Sequence, residues 1–256
     1  MKTELQNKQT HHQPSARRFL LVLLLGMLAS CGGGSDGAAS APAVIPPVAQ
    51  IHAGTWVVMG SSTAAGAGVP SGKGWVAQLA SAYAGRGVLV ANIAKGGAVT
   101  YEGLSASTAR VPDRPAPNPA INIDQALSRK PVLLILSYPA NDIAHGYSVD
   151  ETVYNLLAIR SQALAAGVPV LVTSSLPRNL SDTKLAQLRA MDERMALNVG
   201  GCFVDIRLAL AGSDGRLAPA YDSGDGVHPN GAGHSLIQRQ VSSRLQTGSC
   251  VKLISH

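Results

Sequence analysis

From about residue 54 the chain alternates short apolar runs with stretches in which apolar positions recur at helical spacing. Thr55-Trp56-Val57-Val58-Met59 reads as a buried strand and Val88-Leu89-Val90-Ala91 as a second. Val132-Leu133-Leu134-Ile135-Leu136 is a third, and it is apolar on both faces. A strand without alternation is buried on both sides, as in a parallel sheet covered by helices. Val168 to Thr173 reads as a fourth strand and Phe203-Val204-Asp205-Ile206 as a fifth. Between them, Trp75 to Tyr83 reads as a helix. Ser148-Val149-Asp150-Glu151 is a capping box, opening a helix that runs to about Ala166 and stops at Gly167. Ser181 caps another helix, ending near Gly200-Gly201, and a last one begins after Asn230 and runs to about Leu245. Strands alternating with helices predict right-handed βαβ units around a parallel sheet, an α/β fold. In such sheets sites form where loops leave the carboxyl ends of the strands.

The segment ahead of this pattern has the layout of a secretion signal. Arg17-Arg18 closes a positive region, and Phe19 to Leu28 is an apolar run. That run is shorter than the roughly 20 residues a membrane span needs. Leu28-Ala29-Ser30-Cys31 resembles the lipobox of bacterial lipoproteins. The resemblance implies removal of residues 1–30, a lipid on Cys31, and a membrane partner reached through that anchor. It also implies an exported protein held in the cell envelope, and Gly32 rather than Asp fits the outer membrane, facing the periplasm. An ordinary signal peptide that contains a Cys, or a weak membrane anchor, is the alternative. Residues 31–50 are mostly Gly, Ser, Ala and Pro and read as a flexible linker, leaving 51–256 as the folded domain.

Composition narrows the function classes. With 46% hydrophobic and 14% charged residues the chain is globular with a substantial core, and at 4% aromatics that core rests on aliphatic side chains. Half of the formal charge of +6 comes from Lys2, Lys8, Arg17 and Arg18, offset by Glu4, all ahead of Cys31. Nothing basic is clustered enough in the rest to call for nucleic acid. No His, Cys and Asp spacing of a metal site appears, so no metal and no cofactor are expected. Cys202 and Cys250 are left once Cys31 is set aside. In an oxidising compartment they can form a disulfide that pins the C-terminal tail, or remain two unpaired thiols.

Four loops carry candidate chemistry, and three of them directly follow an expected strand. Gly60-Ser61-Ser62-Thr63 follows the first strand and can present a hydroxyl on a tight turn into a helix. Asn92-Ile93-Ala94-Lys95-Gly96-Gly97 follows the second, and a Gly lets its N–H approach a substrate closely. Pro139-Ala140-Asn141-Asp142 follows the third, and Asn141 can donate a side-chain hydrogen bond. Asp225-Gly226-Val227-His228-Pro229-Asn230 precedes the last helix. An Asp three residues before a His can orient the imidazole as a general base for a nucleophile. Alone, each of the first three reads more readily as a plain turn, loop or cap, and the fourth has a metal-ligand pair or a surface turn as its alternative.

In this order the four blocks resemble the SGNH hydrolases, also called GDSL esterases and lipases, over roughly residues 54–245. Ser62, Gly97, Asn141 and His228 match the family's four marker residues, and Asp225 matches its triad acid. The resemblance implies a three-layer α/β/α sandwich around a five-stranded parallel sheet. It implies a serine hydrolase acting on an ester substrate, with Ser62, Asp225 and His228 catalytic. The N–H groups of Ser62 and Gly97 with the Asn141 side chain would form the oxyanion hole. Two positions depart from the family pattern: Ser61 stands where an Asp is usual, and Pro139 where a Gly is usual. The first leaves two adjacent serines as nucleophile, with Ser62 in the family's position. An O-acetyl esterase on carbohydrate or peptidoglycan, a lipase or thioesterase, and an inactive envelope binding protein are the other readings.

Other residues have plainer expectations. His234 reads as a packing or surface residue of the last helix, Lys95 as solvated, and Trp56 and Trp75 as core. His145 could edge a substrate, and Asp142 reads as a helix-start residue rather than an acid. The Pro-rich stretch Gly103 to Asn122 is long for a connection, and such loops often act as lids.

Overall fold

A computed structural model of the chain describes residues 48–138 and 140–254. The secretion signal, Cys31, most of the linker and Pro139 lie outside the described residues. Strand β1 (Ala49–Ile51) leads through a short turn into β2 (Thr55–Gly60), α1 (Ser62–Ala65) and α2 (Trp75–Ala84). Next come β3 (Leu89–Asn92), α3 (Thr100–Gly103) and α4 (Ile123–Ser128), then β4 (Leu133–Ser137), α5 (Asn141–Ala144) and α6 (Val149–Ala165). β5 (Val170–Thr173), α7 (Asp182–Val199) and β6 (Phe203–Val204) follow, and α8 (Arg207–Leu210), α9 (Gly231–Thr247) and β7 (Val251–Leu253) complete the order.

The central sheet has the order β3-β2-β4-β5-β6 and is parallel throughout. The two-residue period of a strand divides its side chains between two cores. Trp56, Val58, Leu133, Ile135 and Leu171 face Trp75, Leu79 and Tyr83 of α2 and Ile237, Val241 and Leu245 of α9. Val57, Met59, Leu134, Leu136, Val170 and Val172 face Ile123 of α4, Leu156 and Ile159 of α6, and Leu188 and Met191 of α7. Helices thus cover both faces, giving the expected three layers. Trp56 and Trp75 are fully buried. The strand order reverses between β2 and its neighbours β3 and β4, and a crevice opens at such a switch point.

The helix signals act as the sequence implies. Ser148 Oγ accepts from the Glu151 N–H at 3.1 Å, and the Ser148 N–H donates to the Glu151 carboxylate at 2.9 Å. Asn230 Oδ1 caps α9 by accepting from Ala232 and Gly233. The fifth strand is shorter than expected. Ser174 Oγ takes the N–H groups of Ile206 and Arg207 at 2.9 Å, and Asp205 caps Leu208, so the chain turns into α8 after Val204. Leu89 is 66% exposed, because β3 is an edge strand rather than a buried one.

The start of the domain also differs from expectation. Ala49 and Gln50, read as linker, pair in parallel with Val251 and Lys252 of β7. Val251 is fully buried, so the C-terminal strand belongs to the core on the α9 face. A disulfide between Cys202 and Cys250 fastens that tail beside the start of β6. It closes a loop with a sequence separation of 48, which removes chain entropy from the unfolded state by about 4 kcal/mol. Cys202→Ser/Cys250→Ser is therefore expected to lose stability of that order in urea unfolding, relative to oxidised wild type. Equal stabilities would show that the cross-link adds nothing to the β1–β7 pairing.

Candidate active site

The site is built at the carboxyl ends of β2, β3 and β4. The N–H of Ser61 donates to the Ser137 carbonyl at 3.1 Å, and that of Lys95 to the Gly60 carbonyl at 3.1 Å. These bonds hold the three strand exits together. Ser62 is the first residue of α1, so its N–H has no intrahelical acceptor. Its Oγ lies 2.9 Å from His228 Nε2. Ser61 is buried, and its hydroxyl has no hydrogen-bond partner among the described residues. One step along the chain thus separates a hydroxyl that faces the imidazole from one turned into the protein.

His228 arrives on the loop before α9, and the bonds of that loop explain its sequence. Asp222 Oδ1 accepts from Gly224 and Gly226, and the Asn179 N–H donates to the Gly226 carbonyl at 2.7 Å. Asn230 Nδ2 donates to the carbonyls of Ala220 and Asp222 while its Oδ1 caps α9. The Pro229-Asn230 end of the motif is therefore structural. Gly68 lies against this loop with φ +92°, and a Cβ there would fall 2.3 Å from the Pro229 carbonyl oxygen. Only a residue without a side chain lets the segment after α1 pass so close to His228.

Asp225 is 49% exposed, yet it is tightly held. Its Oδ2 lies 2.6 Å from His228 Nδ1, and its Oδ1 accepts from the N–H groups of Val227 and His228, both at 2.8 Å. Partial desolvation raises its carboxyl pKa. The hydrogen bonds from the His228 ring and from the two backbone donors outweigh that and hold it well below the usual carboxylate range. An ionised Asp225 accepts at Nδ1, which leaves Nε2 free to accept from the Ser62 hydroxyl.

Gly97 adopts φ +76° in an exposed loop, and a Cβ there would meet nothing within 4 Å. The constraint at this position is conformational. Asn141 opens α5 and is joined to the same loop: its Nδ2 donates to the Ala98 carbonyl at 3.0 Å. Arg178, which no sequence pattern marks, follows β5 on the segment that leads to α7. Its Nη1 donates to Asn141 Oδ1 at 3.1 Å, and the charge of Asp225 acts on it. Nothing in a lone Arg of a Pro-containing loop marks it in sequence, because its partner is 37 residues away.

The remaining candidates have supporting places. Asp142 is buried and accepts from the N–H and hydroxyl of Thr100, tying α3 to α5; burial raises its pKa. Lys95 pairs with Glu102 at 3.0 Å and is half exposed. His145 is exposed beside the Tyr147 ring, 6.0 Å away. The 103–122 segment is stapled down. Arg114 lies 4.2 Å over the Tyr147 ring and pairs with Glu151, Asp124 takes the Ala106 N–H, and Asn118 bonds to the Glu102 carbonyl. Among the described residues no group of His, Cys, Asp and Glu could hold a metal ion.

A model of the GDSL-like Lipase/Acylhydrolase family matches residues 58–236. Several crystal structures resemble the fold. The psychrotrophic esterase EstA from Pseudoalteromonas sp. aligns with TM-score 0.57 at 18% identity, over 75% of this chain and 97% of that one. TesA aligns with TM-score 0.60 at 22% identity, over 76% and 99%. A GDSL-like lipase from Bacteroides thetaiotaomicron aligns with TM-score 0.53 at 19% identity, over 74% and 86%. No curated protein sequence matches.

The second histidine near this cluster, His234, is fully buried. Its Nδ1 accepts from the Trp75 N–H at 3.1 Å, so the neutral ring carries its proton on Nε2, which donates to the Ala67 carbonyl at 2.9 Å. Burial lowers its pKa below the usual histidine value. The folded chain then binds fewer protons than the unfolded one, so the stability this group contributes is full above about pH 6.5 and declines as pH falls below it. Urea unfolding between pH 7 and pH 5 is expected to show a smaller decline in His234→Gln than in wild type. Parallel declines would mean that His234 titrates normally in the fold.

Proposed function

The chain belongs to the GDSL-like lipase and acylhydrolase family, and from that premise we propose that it is a serine ester hydrolase working through Ser62, His228 and Asp225. The observation that carries this reading is the continuous line of hydrogen bonds Ser62 Oγ to His228 Nε2 and His228 Nδ1 to Asp225 Oδ2. His228 Nε2 takes the Ser62 proton as Oγ bonds to the ester carbonyl carbon, and the carbonyl electron pair moves onto oxygen. The oxyanion is met by the N–H groups of Ser62 and Gly97 and by the free Nδ2 hydrogen of Asn141. Collapse breaks the bond to the alkoxide, which leaves with the proton from Nε2. Water then attacks the acyl-serine while His228 takes its proton, and the acid departs as Ser62 is restored. Asp225 keeps the imidazole in the Nδ1–H tautomer and stabilises the imidazolium.

The same proposal holds that the protein is an exported lipoprotein anchored through Cys31. The lipobox resemblance and the Cys202–Cys250 disulfide, which belongs in an oxidising compartment, support this.

Hydrolysis of p-nitrophenyl esters from acetate to long chains tests the reaction and reads out the acyl length that fits. Ser62→Ala is expected to abolish turnover and Ser61→Ala to retain it. Asn141→Ala should lower kcat about 100- to 1,000-fold. Turnover that survives Ser62→Ala would overturn the assignment.

A further inference from the structure

Arg178 is half buried, and among the described residues no carboxylate forms an ion pair with it, unlike Arg114, Arg194, Arg207 and Arg216. Its Nε is buried and has no hydrogen-bond partner among the described residues. Among the described residues its one hydrogen bond goes to a neutral acceptor, Asn141 Oδ1. The charge of Asp225 acts on Arg178 without a direct ion pair, and burial outweighs that attraction, so withdrawing this cation from water costs free energy that is only partly compensated. That cost is offset in the state where negative charge appears next to it.

The geometry also settles which way the Asn141 amide points. A guanidinium can only donate, so the edge facing Arg178 must be Oδ1. The Ala98 carbonyl can only accept, so the other edge must be Nδ2. The two neighbours demand the same orientation. One Nδ2 hydrogen is used on Ala98, and the second is left for a substrate oxygen.

We propose that Arg178 is a positioning residue of the oxyanion hole. It locks the Asn141 amide and lends it positive charge, so that charge developing on the substrate oxygen is stabilised through the side chain of Asn141. The effect belongs to the transition state rather than to substrate binding. This rests on the assignment of Asn141 to the oxyanion hole.

A double-mutant cycle on p-nitrophenyl acetate tests it. Arg178→Met is expected to lower kcat about 10- to 100-fold and leave KM within about threefold. In the Asn141→Ala background the same change should alter kcat by less than about twofold, because its route is already cut. Equal losses in both backgrounds, or a loss confined to KM, would overturn the proposal. If Arg178→Met does not fold, Arg178→Lys should keep clearly more kcat than Arg178→Gln, and equal values would count against the role of charge. A readout independent of turnover is the side-chain 1H–15N pair of Asn141, assigned by its loss in Asn141→Ala. It should shift in the Arg178 variant, and an unmoved signal would overturn the proposal. If Asn141→Ala leaves kcat intact, the oxyanion-hole assignment falls instead.

Discussion

Burial of β2 and β4 on both faces is the constraint from which the rest of this structure follows. Trp56 and Val57, adjacent in sequence, are both fully buried against opposite helical layers. So are Leu134 and Ile135. Strands held in this way cannot slip, since a one-residue shift would exchange their two faces. Their carboxyl ends are therefore fixed relative to each other, and the Ser61 bond to Ser137 joins those ends directly. Ser62 needs no further device to be placed, because it is the next residue.

The rest of the site is brought to that fixed point by polar bonds rather than by the cores. The His228 loop is tied to the 174–181 segment by Asn179, to itself by Asp222, and to α9 by Asn230. Asn141 is held between the Ala98 carbonyl and Arg178. Buried Asp142 supports α5 and Thr100 from below. Asp192, also buried, binds Ser175 and Arg207 and fixes the start of the segment that carries Arg178. Buried polar groups of this kind are costly unless fully bonded, and here they are spent on the loops that meet around Ser62.

What could be read from the sequence follows from how local each signal is. The two-sided apolar run Leu133 to Leu136 announces a central parallel strand by itself. Asp225 and His228 stand three residues apart, so their contact is built within one loop. Ser61 and Ser62 share that loop chemistry and differ only in the direction set by the first turn of α1, which no composition reveals. Strand β1 is three residues at the end of a Pro- and Ala-rich stretch, and its partner lies at the opposite end of the domain. Arg178 was invisible for the same reason: its meaning comes from Asn141 and Asp225, which reach it only in the folded chain.

The most direct measurement of the central claim is covalent titration with a p-nitrophenyl alkylphosphonate, whose phosphorus takes the place of the attacked carbonyl carbon. The account predicts one phosphonyl group per chain, located by fragment mass analysis on Ser62, with p-nitrophenol released in equal amount and labelling greatly slowed in His228→Ala. A label on Ser61, or ester turnover that continues in fully labelled protein, would contradict it.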